Sequence, residues 1–225
     1  MPHYHLDLAY ASKSQIKTCL DHFALEVHAT LSGSDLKGGS PVLGYARMSR
    51  LQFQRAANSG RLESLVCSST EMEAFSSALL KEDCLKRQFT KQFELDWEFP
   101  IDLALIHEVY LMPEARGKGL GLFVVNSLIE DFCNGVGLVI LEPSPFIDEQ
   151  HSSGRSVEDA RAAIGRHWAK LGFKRMGNTT YWGCNPWLHN FNIDYPESYE
   201  LDLKGKEAIL PKEMRARREM HGIPL

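Results

Sequence analysis

The segment that most constrains the fold runs from Leu103 to Phe132, where a stretch of β-forming residues meets an amphipathic stretch through a glycine-rich turn. Leu103 to Leu111 (LALIHEVYL) is dense in residues that favour strands, and Pro113 ends it because proline cannot donate to a neighbouring strand. From Leu120 onward apolar residues recur at helical spacing. The sequence therefore predicts a strand, a tight turn and a helix, which is a building block of α/β folds.

The turn itself has the composition of an anion-binding site. It reads Arg116-Gly117-Lys118-Gly119-Leu120-Gly121. Glycine lets the backbone direct several N–H groups toward one point and lets a ligand approach closely. The free N–H groups and the positive end of the helix dipole attract an anion, and Arg116 and Lys118 add two positive charges. These properties predict that the turn holds a phosphate group.

Two common phosphate-binding motifs are excluded by their spacing. A Walker loop requires Gly-Lys followed by Ser or Thr, and the residues after Gly119 do not supply it. A dinucleotide fingerprint requires G-x-G-x-x-G, and counting from Gly117 places Leu122 where the third glycine belongs. Neither nucleotide motif therefore fits this turn.

The pattern that does fit is Arg-x-x-Gly-x-Gly after a strand ending in Leu111-Met112-Pro113. It closely resembles the acetyl-CoA-binding segment of the Gcn5-related N-acetyltransferase (GNAT) superfamily. Leu171-Gly172-Phe173, at the end of a second amphipathic stretch, resembles the next signature of that superfamily. The two signatures occur in the right order, and the detailed resemblance covers Leu103 to Trp182.

This resemblance and the sequence pattern together predict the architecture. Gly137 to Leu141 is a second apolar run, and strand, helix and strand at this length imply a parallel pair with a right-handed crossover. The resemblance implies an α/β fold with a mixed sheet, a splayed parallel strand pair and helices on both faces. We expect one GNAT-like domain over residues 1–225, with an N-terminal half over 1–100, an acetyl-CoA-binding core over 103–182 and an extension of unassigned role over 183–225.

Further elements are predicted from local patterns of apolar, turn and capping residues. The predicted strands are His5–Ala9, Ala24–Leu31, Val42–Phe53 and Phe89–Trp97, with a hairpin loop between the second and the third. The predicted helices are Ser12–His22 and Glu71–Lys81, the latter capped by Ser69 or Thr70. Pro143 to Arg161 is rich in turn residues and is predicted to be a loop, either a lid or acceptor-binding element or a solvated insertion.

The resemblance implies acetyl-CoA as co-substrate. Its pyrophosphate would contact the N–H groups from Gly117 to Gly121, helped by Arg116 and Lys118, and its pantetheine arm would pair with the backbone of Leu111 and Met112 like an added strand. The expected cofactor-binding residues are Leu111, Met112, Arg116, Gly117, Lys118, Gly119, Leu120 and Gly121. The superfamily commonly has an asparagine at the position held here by Arg161.

The resemblance also implies a reaction, the transfer of acetyl from acetyl-CoA to a primary amine by direct attack in a ternary complex. A protonated amine must lose a proton, and Glu108 and His107 are the candidate bases. Side-chain alternation predicts that the two lie on opposite faces of the strand, and Glu108 is the preferred base because it shares a face with Tyr110 and Met112.

The leaving thiolate must regain a proton, and many relatives use a tyrosine at the position held here by Trp168. An indole does not titrate usefully, so Tyr110, Tyr181 or water is expected to supply that proton.

Composition narrows the classes of partner. The net charge of −4 argues against general nucleic-acid affinity, and the chain has no apolar run long enough for a membrane helix. Five scattered cysteines and a start without an apolar centre predict reduced thiols in the cytoplasm, and no metal site is expected. The acceptor is a small-molecule or protein amine, and a dimer is possible. Two other functions stay open, a non-catalytic acyl-CoA-binding domain and a protein-interaction module.

Overall fold

A computed structural model describes residues 3–13, 23–34, 40–67, 69–82, 84–95, 101–144, 156–188, 195–196 and 198–203. The strands in these residues are β1 His3–Lys13, β2 Ala24–Ser34, β3 Val42–Leu51, β4 Leu80–Lys81, β5 Cys84–Leu85, β6 Leu103–Leu111, β7 Leu138–Leu141, β8 Lys174–Arg175, β9 Trp182–Cys184 and β10 Tyr199–Glu200. The helices are α1 Phe53–Asn58, α2 Leu62–Val66, α3 Thr70–Leu79, α4 Arg87–Gln92, α5 Leu120–Phe132 and α6 Val157–Trp168. Short 3-10 turns cover Pro113–Ala115 and Ala169–Leu171.

Eight of the strands form one mixed sheet in the order β10-β1-β2-β3-β6-β7-β9-β8. The neighbours pair antiparallel except β6 and β7, which are parallel and are connected through α5. The predicted α/β class and mixed sheet are confirmed. The predicted pair of parallel strands connected by a helix is confirmed as well. β4 and β5 form a separate two-stranded hairpin.

Helices cover both faces of the sheet, as alternate residues of β6 demonstrate. Ala104 and Ile106 belong to the apolar cluster that includes the buried side of α5. Leu103 and Leu105 belong to a second cluster, which includes residues of α1 to α4 such as Phe75. Because neighbouring side chains of a strand point to opposite faces, α5 and the α1–α4 group lie on opposite sides of the sheet.

Three predicted strands in the N-terminal half are confirmed with longer or slightly shifted bounds. β1 extends beyond the predicted His5–Ala9, β2 includes Ala24–Leu31, and β3 ends at Leu51 because α1 begins at Phe53. The predicted hairpin between β2 and β3 is present, with antiparallel pairing from Ala24 opposite Leu51 to Ser32 opposite Val42.

The predicted strand Phe89–Trp97 is wrong in the part that the structure describes. Arg87–Gln92 is α4, and Trp97 lies outside the described residues. Phe89 and Phe93 are both buried. Because they are four residues apart, both rings lie on the same side of a helix. Tertiary packing therefore outweighs the local preference of aromatic residues for strands.

Two helix predictions need smaller corrections. Glu71–Lys81 corresponds to α3, which begins at Thr70 after Ser69, whose Oγ accepts from the Met72 N–H at 3.2 Å. Of the predicted helix Ser12–His22, Ser12 and Lys13 belong to β1, and residues 14–22 lie outside the described part of the chain.

The segment predicted as a loop from Pro143 to Arg161 is partly helical. α6 begins at Val157, and Ser156 caps it by accepting from the Asp159 N–H at 3.1 Å. Residues 145–155 lie outside the described part of the chain. At its other end the helix passes into a 3-10 turn that stops at Gly172, which is left-handed with φ +80°, as the sequence predicts.

Candidate functional site

The glycine turn between β6 and α5 is open on its outer side. Gly117 and Gly119 have φ of +75° and +80°, a backbone region that other residues rarely adopt. Among the described residues, no heavy atom lies within 4 Å of a Cβ placed on either glycine. The two glycines are therefore needed for their backbone conformation, and the described residues leave the position in front of each glycine uncovered.

The N-terminus of α5 faces this open turn. Gly119 is its cap residue, no described side chain caps the helix, and its first turn contains no acid. The first helical bonds run from the N–H groups of Leu122 and Phe123 to the Gly119 carbonyl. The N–H groups of Leu120 and Gly121 precede these bonds, so they are the donors that a helix start offers to an anion.

Arg116 lies against β6. Its Nε donates to the Leu111 carbonyl at 2.9 Å, and its guanidinium lies 5.7 Å from the centre of the Tyr110 ring. Lys118 is exposed on the turn. Of the two cations expected to assist a phosphate, Lys118 therefore lies at the open surface, whereas Arg116 supports the strand beneath it.

β6 extends beyond the end of β7 toward this turn, and among the described residues no strand pairs with its far edge there; we call this region the gap. Their parallel pairing ends with Ile106 opposite Leu141, but β6 continues to Leu111. The Met112 N–H donates to the Leu43 carbonyl in β3 at 2.9 Å, and the Met112 carbonyl accepts from Ala115. By strand alternation the N–H of Leu111 points away from β3 into the gap beyond β7. Of the two residues expected to pair with a pantetheine arm, Leu111 is therefore the one directed at the gap.

A β-bulge changes the side-chain alternation in the middle of β6. Glu108 lies opposite Arg47, but Ile106 lies opposite Met48, so His107 is an extra residue in the pairing. His107 consequently contacts Ser49, whose side chain lies on the same face of β3 as Arg47, the partner of Glu108. The prediction that His107 and Glu108 lie on opposite faces is wrong because the bulge turns both toward one face.

Both residues belong to a polar cluster beneath the N-terminus of α3. We define the polar cluster as Glu26, Arg47, Ser49, Glu71, His107 and Glu108. His107 Nδ1 lies 2.6 Å from Glu71 Oε1, and His107 Nε2 lies 2.8 Å from Ser49 Oγ. Arg47 is the central cation, with guanidinium nitrogens 3.4 Å from Glu26, 3.5 Å from Glu71 and 3.8 Å from Glu108. On this face of the sheet, the residues near Leu105 are therefore apolar, whereas the residues nearer the gap are polar or charged.

The environment fixes the charge states of His107 and Glu71. The pKa of Glu71 is lowered to about 2, first by the hydrogen bond from His107 and then by Arg47. The pKa of His107 is lowered below its usual 6.5, mainly because burial disfavours the charged ring and also because of Arg47. At neutral pH an ionised Glu71 therefore accepts from the Nδ1–H of a neutral imidazole.

Tyr181 lies on the β9 side of the gap. Its ring packs edge-to-face against Phe75 of α3, with 6.0 Å between the ring centres. Burial raises its pKa, and the carboxylates of Glu142, just after β7, and Glu71 raise it further. The hydroxyl of Tyr181 therefore keeps its proton, near carboxylates contributed by both sides of the gap.

Trp168 is packed in the core beside the first turn of α5. It is buried, and its ring meets His167 edge-to-face with 4.9 Å between the centres. A Cβ on Gly121 would lie 3.5 Å from His167 Nε2 and 3.6 Å from Trp168. Burial and the nearby Lys170 lower the pKa of His167. Trp168 therefore supports the helix start, and the half-buried His167 lies beside it.

Arg161 connects α6 to the end of β7. Its guanidinium Nη2 lies 4.0 Å from Glu142 Oε1. Arg161 therefore helps to hold α6 against the end of β7.

Four further residues of the site were not predicted from the sequence: Arg47, Ser49, Glu71 and Glu142. Arg47 and Ser49 stand at alternate positions of a strand that is otherwise largely apolar, which is the pattern that could have pointed to a polar patch. Glu71 looked like an ordinary acid in the first turn of a helix. Its contacts with the sheet depend on how α3 is placed.

Other kinds of site receive no support from the described residues. In those parts of the chain, no three or more His, Cys, Asp or Glu side chains are grouped as metal ligands. No helix within the same residues is long and apolar enough to cross a bilayer. The four cysteines described are free thiols: Cys67, Cys84, Cys133 and Cys184.

Comparison of the chain with protein-family models, curated proteins and solved structures found no match. The class defined by the geometry is an α/β protein with a mixed sheet, in which a glycine turn and a helix N-terminus follow one strand of the single parallel pair found among the described residues.

Proposed function

We propose that this protein is a GNAT-type N-acetyltransferase, which transfers acetyl from acetyl-CoA to a primary amine. The observation that carries the proposal is the position of the open turn at Gly117 and Gly119, directly beside the edge of β6 that extends beyond β7. A ligand with an anionic end and an extended amide-containing arm, as CoA has, can bind both features together.

The donor would bind along the strand–turn–helix unit. Its pyrophosphate accepts from the N–H groups between Gly117 and Gly121, and exposed Lys118 contributes a positive charge. The pantetheine arm pairs with the edge of β6 through Leu111, whose carbonyl Arg116 already holds. The N–H groups of β6 in the gap would stabilise the oxyanion that forms on the thioester carbonyl.

The acceptor would enter over the polar cluster. Glu108 accepts a proton from the ammonium group, the freed amine nitrogen attacks the thioester carbonyl, the C–S bond breaks, and the second proton lost from the nitrogen passes through water to the thiolate. We favour Glu108 as the base because it shares a face of β6 with Tyr110, on the regular side of the bulge. Tyr181, which keeps its proton, would donate a hydrogen bond to the departing thiolate. We place the reaction in the cytoplasm, whose reducing conditions suit the exposed thiols Cys67 and Cys84.

Ligand binding tests the donor half of the proposal. Saturating CoA at about 100 times its dissociation constant should stabilise the fold by about 2.7 kcal/mol and raise the melting temperature by several degrees. Pantetheine, which lacks the pyrophosphate, is the matched control and should give a much smaller shift. Equal shifts for the two compounds, or no shift at millimolar CoA, would exclude the turn as a CoA site.

Turnover tests the acceptor half. Release of CoA thiol from acetyl-CoA in a panel of primary amines should exceed the rate without amine. Glu108→Gln should lower that rate by about 10²- to 10⁴-fold, which is the usual contribution of a general base. Glu73→Gln, an exposed acid on α3, is the control and should leave the rate unchanged. An undiminished rate of the Glu108 variant across pH would dismiss that residue as the base.

A non-catalytic acyl-CoA-binding protein is the second candidate. The buried Trp168 favours it, because the indole stands where many relatives carry a titratable tyrosine. Binding of CoA without thiol release in any amine would identify this function.

A further inference from the structure

Three members of the polar cluster form a connected chain from a hydroxyl through an imidazole to a carboxylate. Ser49 Oγ lies 2.8 Å from His107 Nε2, and His107 Nδ1 lies 2.6 Å from Glu71 Oε1. Each residue comes from a different element, β3, β6 and α3. The order hydroxyl, Nε2, Nδ1 and carboxylate is the one in which a base activates a nucleophile and is itself oriented by an acid.

The charge of Glu71 determines which tautomer His107 adopts. Because Glu71 is ionised, it can only accept, so the Nδ1 of His107 carries the proton and donates it to the carboxylate. The Nε2 of a neutral ring then presents a lone pair, and it accepts from the hydroxyl of Ser49. His107 is thereby held as a base aimed at one oxygen atom.

The backbone of β6 places His107 in contact with Ser49. His107 is the extra residue of the β-bulge, and its placement next to Ser49 depends on that insertion. The side chain of His107 is only 6% exposed, whereas Ser49 is partly exposed and Glu71 is about half exposed. The base is therefore shielded, whereas Ser49 as a residue keeps part of its exposure to solvent.

We infer that Ser49 is a base-activated nucleophile that takes an acyl group from activated esters, with His107 as the base and Glu71 as its positioning residue. Ser49 Oγ forms a bond to the acyl carbon, its proton passes to His107 Nε2, and the bond to the leaving group breaks. The imidazolium then returns the proton to the leaving group or to solvent. Water hydrolyses the acyl-serine and regenerates the hydroxyl.

This activity goes beyond the proposed acetyl transfer and does not depend on it. The amine reaction is a direct attack that requires no covalent intermediate, whereas acylation of Ser49 requires neither the glycine turn nor an amine. An alkyl fluorophosphonate and p-nitrophenyl acetate are suitable probes, because the first reacts irreversibly with activated serines and the second releases a coloured phenolate.

The intact protein should gain the mass of one fluorophosphonate adduct, mapped to Ser49, and should release a burst of p-nitrophenolate close to one equivalent. Ser49→Ala should abolish the adduct and the burst. Glu71→Gln should slow both by at least about tenfold, as expected when the group that orients a base is neutralised. Ser77→Ala, an exposed serine on α3, is the matched control and should react like the wild type.

Two outcomes would overturn the inference. The first is an unmodified Ser49 after prolonged exposure to the fluorophosphonate. The second is an adduct at Ser49 that forms equally fast in Glu71→Gln, because its hydroxyl would then react without the oriented base. Cooperative urea unfolding of each variant, compared with the wild type, separates loss of chemistry from loss of the fold. Because Glu71 is half exposed, its variant is the one expected to keep the core intact.

Discussion

At the scale of single residues, the glycines of the turn differ in what they contribute. Gly117 and Gly119 have positive φ, so a side chain at either position strains the backbone even though space is available. Gly121 lies inside α5 and is buried. A Cβ there would make contacts of 3.5 to 3.8 Å with His167, Trp168 and Leu111, which are ordinary packing distances. Only the first two glycines are therefore required by conformation.

Substitution by alanine should separate these contributions. Gly119→Ala should lower the free energy of unfolding by about 1 kcal/mol or somewhat more, because the left-handed conformation costs an L-residue about that much. Gly121→Ala should be neutral or stabilise by up to about 1 kcal/mol, since alanine favours the helix interior over glycine. Urea unfolding of the protein without CoA measures both. A Gly121 variant less stable than the Gly119 variant would contradict this assignment.

At the scale of elements, Glu71 fastens α3 to the sheet. Its two carboxylate oxygens contact His107 in β6 and Arg47 in β3 at 2.6 and 3.5 Å. The first turn of α3 is thus tied to the strands that carry the polar cluster. Apolar sheet residues such as Leu105 and Ile140 pack with the buried side of α3, and charge pairing positions the helix at its polar end.

The pH dependence of stability tests this link. The pKa of Glu71 is about 2 in the folded state and 4.5 for an unperturbed glutamate, so the unfolded state binds more protons between these values. The stabilisation is therefore complete above about pH 4.5 and is lost as the pH falls toward 2. Since the side chain is 53% exposed, solvent screening limits the effect to about 1 kcal/mol.

The free energy of unfolding of the wild type should exceed that of Glu71→Gln by about 1 kcal/mol at pH 7, and the difference should shrink as the pH falls below 4.5. Urea titrations at several pH values provide the measurement. Glu73→Gln, in the same helical turn, is the control and should differ little from the wild type. A difference for Glu71→Gln that is constant from pH 7 to pH 3 would argue against an ionic link.

At the scale of the whole molecule, distant parts of the sequence meet in one sheet. β10 pairs antiparallel with β1, with His3 opposite Glu200 and Tyr4 opposite Tyr199. Tyr199 and Leu201 are buried in the apolar cluster that also contains the buried residues of α5. The packing around α5 therefore includes residues about 80 positions further along the chain.

Truncation of Leu201 should accordingly destabilise the fold. The side chain is fully buried, so Leu201→Ala should cost about 2 to 5 kcal/mol through lost burial and a residual cavity. Leu188→Ala removes the same atoms from a residue that is 52% exposed, and it should change stability by less than about 0.5 kcal/mol. Thermal unfolding compares the two variants. Similar melting temperatures would show that residues 199–203 do not pack as described.

Several local features of the chain could be predicted from its sequence. β6, the turn after Pro113 and α5 were predictable because apolar spacing, proline and glycine act within a few residues of one another. The parallel strand β7 followed from its distance to β6. α4 was not predictable in the same way, because Phe89 and Phe93 favour a strand locally, and the helix forms where both rings join the core.

Short-range sterics and hydrogen bonding govern the strand–turn–helix unit and its glycine turn, so residues close together in the sequence were enough to predict them. The polar cluster, in contrast, forms only when distant parts of the chain pack together. The bulge that brings His107 beside Ser49 depends on pairing between β3 and β6, which are separated by more than 50 residues. The placement of Glu71 depends on packing α3 against the sheet. Contacts of this kind arise from register and long-range packing, which no local pattern of residues encodes.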